Sequence, residues 1–346
     1  MAKKPFTPIP PMAELPPAEE INVSEILDKY LSGEIDLICV LGPTASGKTR
    51  YAVNLARQIN ALVERPAAEI ISADSRQVYR GMDIGTGKDL NEYEEIPYHL
   101  MDIVDAGTKY NIFEYQRDFE KAYKDIVDRG GIPILCGGSG LYIEAATCGY
   151  SLPEVPPDPE LRAELEKKSD EELIAQLASL KPLHNNTDYD TRKRLIRALE
   201  VYYETGETIT QHNLKTQQIP PRYQPVWFAL EDTDRQELYN RIDRRVETML
   251  ECGLLEEIQG LLAMGIPEKC TAMQAIGYKE FIDALNGMGT ISEAADLVRQ
   301  SSRRYAKRQL TWFRRNSQMH WLMRDSATTT EEILFNARQV LHNSDN

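Results

Sequence analysis

Apolar positions in the first half of the chain come in short unbroken runs, each followed by a stretch with a helical repeat. "DLICVLG" (36–42) is a continuous apolar run closed by glycine, the pattern of a strand buried on both faces of a parallel sheet. "EIISADS" (69–75), "YHLMDI" (98–103) and "IPILCGG" (132–138) predict further short strands. Helical patterns occupy 22–33, 48–59 and 113–131, the last closed by glycines. Strands alternating with helices predict a doubly wound parallel sheet with its ligands at the carboxyl ends of the strands.

The alternation stops at the proline-rich "SLPEVPPDPEL" (151–161). Two helical stretches follow, 158–180 and 188–204, with no strand between them. In the second, Leu195, Leu199 and Tyr202 form a core stripe. "PVWFALED" (225–232) resumes the strand type, and a long helix from Thr233 places Leu238, Ile242, Val246 and Met249 on one face.

One loop interrupts these elements with chemistry. Gly42-Pro43-Thr44-Ala45-Ser46-Gly47-Lys48-Thr49 fits G-x-x-x-x-G-K-[ST], directly after a strand and directly before a helix. Backbone N–H groups of such a loop converge on phosphate oxygens, Lys48 adds a point charge, and Thr49 offers a hydroxyl to Mg²⁺. The signal is strong for a diphosphate or triphosphate and silent about the acceptor. The fold expected is therefore α/β, a P-loop kinase-like parallel-sheet core (35–150 and 222–324) with a helical insertion domain (151–221). An N-terminal extension (1–34), expected to be partly disordered, precedes it, and a tail (325–346) follows.

Asp74 stands at the tip of a second strand, in "ISADSRQVYRGMDIGTGK" (71–88), where it would face the phosphate loop. Three roles compete: a turn or cap residue, a Mg²⁺ holder acting through water, or a general base for an acceptor held over the phosphates. Spacing alone does not decide among them. The small residues from Gly81 to Gly87 suit close passage of a substrate, and equally a plain loop.

Composition changes the picture only in part. The 346 residues carry a formal net charge of −14, which by itself speaks against a nucleic-acid partner. Yet 299–324, "RQSSRRYAKRQLTWFRRNSQMHWLMR", holds Arg299, Arg303, Arg304, Lys307, Arg308, Arg314, Arg315 and Arg324 and no acid. Arg304, Lys307/Arg308 and Arg314/Arg315 recur at helical intervals, leaving Tyr305, Leu310 and Phe313 to face the core, so these residues are expected to lie on a basic helix that grips RNA. A solvated basic face is the plainer alternative. Cys39, Cys136, Cys148, Cys252 and Cys270 are scattered and never form C-x-x-C, which argues against disulfides and zinc and fits a reducing cytoplasm. No apolar run is long enough to span a membrane, and the first twenty residues lack the apolar segment of a secretory signal.

Seven blocks, "GPTASGKT", "ISADSRQVYRGMDIGTGK", "HLMDIVD", "PILCGGSGLYIEA", "TRKRLIRALEVYYETG", "AIGYKE" and "YAKRQLTWFRR", stand in an order that resembles the tRNA dimethylallyltransferases over about residues 36–322. The resemblance implies transfer of a five-carbon allyl group from dimethylallyl diphosphate to the N6 amine of adenosine 37 in tRNA, with Mg²⁺ as cofactor. It implies that Asp74 is the general base and that Thr44 and Lys48 contact the diphosphate, with Thr49 on the metal. Arg241, opening "RIDRRV", aligns with an arginine that clamps the diphosphate, although Arg244 and Arg245 lie close by.

By the same resemblance Asp74, Ser75, Arg76, Gln77, Ser139, Arg192, Lys193, Gln274, Ala275, Ile276, Gly277, Tyr278, Lys279, Arg304, Lys307, Arg308 and Arg314 contact tRNA. Ser139 replaces a usual threonine and keeps its hydroxyl; "GTGK" replaces G-T-A-K. A monomer bound to the anticodon stem-loop, with no membrane partner, is expected. The rival readings are a P-loop kinase for a nucleoside or other small molecule, a nucleotide-dependent RNA-binding switch, and prenyl transfer to free AMP or ADP. The first leaves the basic segment unexplained, and a small acceptor needs no such surface.

Overall fold

Six strands lie side by side in one sheet: β1 (Leu37–Leu41), β2 (Ala68–Ala73), β4 (Tyr98–His99), β6 (Ile132–Gly137), β7 (Pro225–Asp232) and β8 (Met319–Arg324). Their order is β4-β2-β6-β1-β7-β8, and every pairing is parallel. The computed structural model describes residues 22–148, 158–180, 192–208, 211 and 221–324. β3 (Tyr79–Arg80) and β5 (Val104–Asp105) pair separately as a short two-stranded ribbon.

Alternation along β1 shows why the runs are apolar throughout. Leu37, Cys39 and Leu41 face one core layer while Ile38 and Val40 face the other, all fully buried. The first layer is covered by helices Ile112–Asp128, Gly140–Cys148, Arg235–Glu251, Leu254–Ala263, Tyr278–Leu285 and Ile291–Phe313. The second is covered by Val23–Leu31 and Lys48–Leu62. Helix Val23–Leu31, within the stretch expected to be an extension, therefore belongs to the core through Val23, Ile26 and Leu27. The rest of that stretch before residue 22, and the tail from 325, lie outside the described residues.

The chain divides into two compact units, one formed by the residues before Cys148 and after Arg222, the other by Cys148–Arg222. The second unit has its own small core of Leu165, Leu173, Leu177, Leu195, Ile196 and Leu199. Its buried Glu200 accepts two hydrogen bonds from Arg162, both at 2.8 Å. The helix expected over 158–180 is two helices, Pro159–Glu166 and Asp170–Leu180. Ser169 starts the second by exchanging hydrogen bonds with Glu172.

One other expectation is corrected, and one strand was not foreseen. The strand expected over 98–103 pairs only over Tyr98 and His99, because Leu100 (φ +63°) and Asp102 (φ +54°) adopt left-handed backbone that turns the chain toward β5. The basic helix ends at Phe313, and β8, for which no strand was expected, follows as an edge strand beside β7. Met319 and Trp321 alternate with Leu322 between the two core layers, a two-residue period that the arginines around it obscure. Among the described residues no helix is long and apolar enough to cross a membrane.

Trp321 is 3 % exposed, so Trp321→Ala should cost about 3–5 kcal/mol through the cavity it leaves. Urea unfolding followed by tryptophan-independent circular dichroism would read this as a lower midpoint with an unchanged slope.

Candidate active site

Leu41 and Ala73 both stand opposite Gly137 in register, so the chains leaving β1, β2 and β6 emerge together at one edge of the sheet. From β1 the chain passes through the phosphate loop into helix Lys48–Leu62. Gly47 caps this helix at φ +81° with no side-chain hydrogen bond, and its first turn holds no acid. The leading N–H groups are thus left for an anion, at the positive end of the helix.

Two distant side chains brace the loop. Thr44 N–H donates to Gln309 Oε1 at 2.9 Å, while Gln309 Nε2 donates to the Gly138 carbonyl at 2.8 Å. Arg241 donates from Nε to the Ala45 carbonyl at 2.9 Å and from Nη2 to Asp232 Oδ2 at 2.5 Å. Ala45 itself is left-handed, at φ +62°, so this carbonyl is held by a residue that is strained without support. A side chain at Gly138 would place its Cβ 2.1 Å from Gln309 Nε2, which is why the buried amide can approach only a glycine there.

From β2 the chain turns at Asp74, whose Oδ1 accepts the Arg76 N–H at 2.8 Å. Ser139, entering helix Gly140–Cys148 after β6, donates its N–H to Ala73 and accepts the Ser75 N–H on its hydroxyl at 3.1 Å. That hydroxyl also lies 3.5 Å from the Tyr305 hydroxyl, whose pKa burial pushes up to about 12. Ser139 and Gln309 together tie the strand tips to helix Ile291–Phe313. Gln77 accepts from Ser72 Oγ at 3.0 Å and donates to the Gly87 carbonyl at 3.1 Å. Arg76 reaches across to the Thr271 carbonyl at 2.6 Å.

These elements enclose a cavity of about 370 Å³. Thr44, Ala45, Gly47, Lys48 and Thr49 line one part of it, Asp74, Ser75, Arg76 and Gln77 another. Ile242, Val246, Met249, Ile276 and Val298 make an apolar wall, and Tyr305, Arg308 and Gln309 complete it. Burial holds the Lys48 ammonium below its ordinary pKa, and the nearby charge of Asp74 works in the opposite direction. Asp89 and Glu92 also line the cavity, and burial, then the Asp89 charge, raises the pKa of Glu92. Thr49, Asp89 and Glu92 are oxygen donors on the cavity lining, the ligand type Mg²⁺ takes, with Asp89 paired to Arg245 and Glu92 to Arg50. Among the described residues no group of three His, Cys, Asp or Glu side chains could hold a metal by itself.

Beyond the phosphate loop and the 74–77 turn, the predicted residues Gln274, Ala275, Ile276, Gly277 and Arg308 also line the cavity. Gly42, Pro43 and Ser46 are buried outside its lining, and Ser46 Oγ has no hydrogen-bond partner. Three assignments change. Tyr278 is fully buried and donates to Glu257 Oε1 at 2.5 Å, so it is a core residue rather than an RNA contact. Arg314 is drawn inward, pairing with Glu231 at 2.7 Å and lying 6.0 Å from the Trp321 ring, since β7 and β8 bring both partners beneath it. Arg241 braces the loop from outside this cavity, lining a second hollow of about 700 Å³ that shares Asp89, Glu92 and Arg245 with the first.

The other predicted residues are placed as follows. Ser139 is buried and used as a tie, Lys279 and Arg304 are exposed, and Lys307 is half-buried. Arg192 and Lys193 belong to the second unit, where Arg192 donates to the Glu166 and Lys168 carbonyls at 2.7 and 2.6 Å and Lys193 is exposed. Sequence reasoning missed Gln309 and Glu257, and named Arg245 only as a near neighbour of Arg241. Gln309 carried a signal: an amide on the buried stripe of Ala306, Leu310 and Phe313. Glu257 carried none, yet it accepts the N–H groups of Asp83 and Ile84 at 2.8 Å and so holds the loop that forms the cavity floor at Gly85–Gly87.

The profile of the family described as IPP transferase matches residues 77–316. The chain is 43% identical over 319 residues to tRNA dimethylallyltransferase 1 of Parabacteroides distasonis, covering 89% of this chain and 98% of that one. It is 44% identical over 317 residues to tRNA dimethylallyltransferase 2 of Bacteroides fragilis, with the same coverage. Among solved structures, the full-length tRNA isopentenylpyrophosphate transferase of Bacillus halodurans superposes with a TM-score of 0.64 at 36% identity, over 89% of this chain and 96% of that one. A eukaryotic dimethylallyltransferase acting on tRNA gives a TM-score of 0.70 at 25% identity, over 89% and 80%.

Gln309→Leu would keep the volume of the side chain and remove both of its hydrogen bonds, leaving the Thr44 N–H and the Gly138 carbonyl unpaired. Each orphaned group costs about 1–3 kcal/mol. The expected outcome is a lower melting temperature together with weaker binding of inorganic pyrophosphate by calorimetry; unchanged pyrophosphate affinity would remove Gln309 from the support of the cradle.

Proposed function

The chain belongs to the IPP transferase family of tRNA dimethylallyltransferases, and from that premise we infer how its cavity carries out the transfer. A dimethylallyl group passes from dimethylallyl diphosphate to the N6 amine of adenosine 37 in tRNA, giving N6-isopentenyladenosine and diphosphate. The observation that supports this reading most directly is that the phosphate loop and the Asp74 turn line one and the same cavity. The related structures and proteins described above lend no support to a kinase.

The diphosphate of the donor lies on the N–H groups at the start of helix Lys48–Leu62, with Lys48 and Thr44 beside it. Its carbon–oxygen bond breaks as negative charge collects on the leaving diphosphate, and fixed donors aimed at that charge lower the barrier. The Thr49 hydroxyl would hold Mg²⁺, which supplies further positive charge against the diphosphate oxygens. The isoprenoid carbons fit the apolar wall of Ile242, Val246, Met249, Ile276 and Val298.

Adenine N6 is a weak nucleophile because its lone pair is delocalised into the ring. It attacks the allylic carbon and loses a proton to the Asp74 carboxylate, which the Arg76 N–H fixes in orientation through Oδ1. A stacked adenine cannot reach a recessed cradle, so the nucleotide is turned out of the anticodon loop to enter. Arg308, on the cavity wall, and the exposed Arg304 and Arg315 on or just after the same helix offer phosphate contacts to the RNA around it. Gln77 and Ser75 stand where the edge of the flipped base would be read.

Incubation with Mg²⁺, dimethylallyl diphosphate and unmodified tRNA carrying A36-A37-A38 should add a C5 group at A37, detected by mass spectrometry of the nucleosides. Asp74→Asn should reduce kcat by about 10²–10⁴-fold while both substrates still bind. Phosphate transfer from ATP to a small alcohol, with RNA left unprenylated, would overturn the reading.

A separate expectation concerns the basic helix. Arg304→Ala and Arg308→Ala should each weaken tRNA binding and reduce the slope of log affinity against log salt by about 0.7–0.9 per lost phosphate contact. Arg314→Ala should instead lower stability, with the salt slope preserved. Filter binding across a salt series, paired with thermal unfolding, separates the two classes.

A further inference from the structure

The Lys88 ammonium is taken fully out of water, its side chain 0 % exposed. Its three N–H groups meet three acceptors: the Tyr79 carbonyl at 2.8 Å, Asp83 Oδ1 at 2.5 Å and Asp102 Oδ1. Both carboxylates keep contact with solvent, at 54 % and 32 % exposure. A buried charge with such partners is a poor source of stability, because an apolar side chain of similar length fills the same space without losing hydration. What an ammonium adds is direction. It holds β3, the loop after it and Asp102 at one point.

Those stretches surround Gln77. Asp102, at a left-handed φ of +54°, donates its N–H to the Gln77 carbonyl at 3.1 Å. Gly87, the residue before Lys88, offers its carbonyl to Gln77 Nε2 at 3.1 Å. The Lys88 N–H donates to the Asp83 carbonyl at 3.2 Å, closing the loop whose carboxylate the ammonium also holds. A carbonyl can only accept, so Gly87 fixes which end of the Gln77 amide is nitrogen. The buried Ser72 hydroxyl then donates to Oε1 at 3.0 Å. Gln77 lines the cavity beside Asp74, and Lys88 is not part of that lining. Backbone and side chain of Gln77 are thus clamped by Asp102 and Gly87. Lys88 places the first through its ammonium and the second through the peptide bond they share.

We propose that Lys88 is a positioning residue for the adenosine half of the site, acting through Gln77: its ammonium sets where the Gln77 amide stands against the flipped base, without itself reaching substrate. This rests on the reading of Gln77 as lying at the base edge. No covalent step is involved. The phosphate cradle is braced by Gln309 and Arg241 instead, so the diphosphate half of the site does not depend on this tie.

The test uses the full-length protein, with steady-state prenylation of unmodified tRNA and calorimetry with inorganic pyrophosphate and Mg²⁺. Lys88→Met should lower kcat/KM for tRNA by about 10–100-fold, the scale of a contact misplaced by a fraction of an ångström to one ångström, with pyrophosphate affinity unchanged. Asp102→Gly suits the left-handed backbone and keeps the N–H to Gln77, and should show the same pattern to a smaller extent. The decisive comparison is with Gln77→Leu. Lys88→Met combined with Gln77→Leu should be no slower than Gln77→Leu alone, because a residue that acts through another then has nothing left to place. If Lys88→Met does not fold, Asp102→Gly is carried through the same comparison.

A merely structural tie would multiply the two losses. That result overturns the proposal, as does Lys88→Met with wild-type kcat/KM or with pyrophosphate binding lost alongside. Gln77→Leu at the wild-type rate removes Gln77 from the base edge and the proposal with it, leaving the diphosphate cradle as read. Absence of tRNA prenylation by the wild-type protein overturns both the proposal and the reading of the site.

Discussion

The hydrogen-bonded amide of Gln309 is the constraint on which the rest of the site depends. It accepts from the loop after β1 and donates to the carbonyl after β6, and being buried it has no water to fall back on. Ser139 performs the matching task between β6 and β2. Two side chains therefore fix three strand tips against one helix, and the distance between phosphate cradle and Asp74 follows from the sheet rather than from loop stiffness. A parallel sheet covered on both faces is rigid enough to make that possible.

Charge in this protein has to be judged pair by pair. The acid-free segment from Arg299 meets its acids from elsewhere: Arg299 pairs with Glu247, Arg303 with Asp243, and Arg314 with Glu231. Glu231 is buried, which raises its pKa, and Arg314 opposes that by holding it charged. What is left facing outward is a narrower set, Arg304, Arg308 and Arg315, aligned with the cavity wall at Arg308. A chain with a net charge of −14 can thus present a local basic surface while using other arginines as internal ties.

Much of the architecture was legible because it rests on local signals. The strand β7 was read at its observed bounds from an apolar run, and the phosphate loop from spacing that its own backbone requires. The losses came where the deciding partner is remote in sequence. Gln309 and Thr44 are 265 positions apart, and nothing near Arg241 indicates that it points to Ala45 rather than to a ligand. β8 was hidden because its alternation is short and flanked by cations, and Tyr278 because its motif was assigned to RNA by resemblance while its ring packs inward. Asp74 shows the intermediate case: its position at a strand tip was readable, its choice of role was not.

The sheet order has a consequence for how the chain is made. β1 is complete by residue 41, yet its second neighbour, β7, begins only at Pro225, after the whole second unit. At ~5–20 residues per second of synthesis, one flank of the central strand waits on the order of tens of seconds for its partner. During that interval a fully apolar edge stands open, the kind of template on which nascent chains stick to one another. Ribosome-associated chaperones that shield such edges would find their longest-lived client surface here, in the middle of the finished protein rather than at its rim.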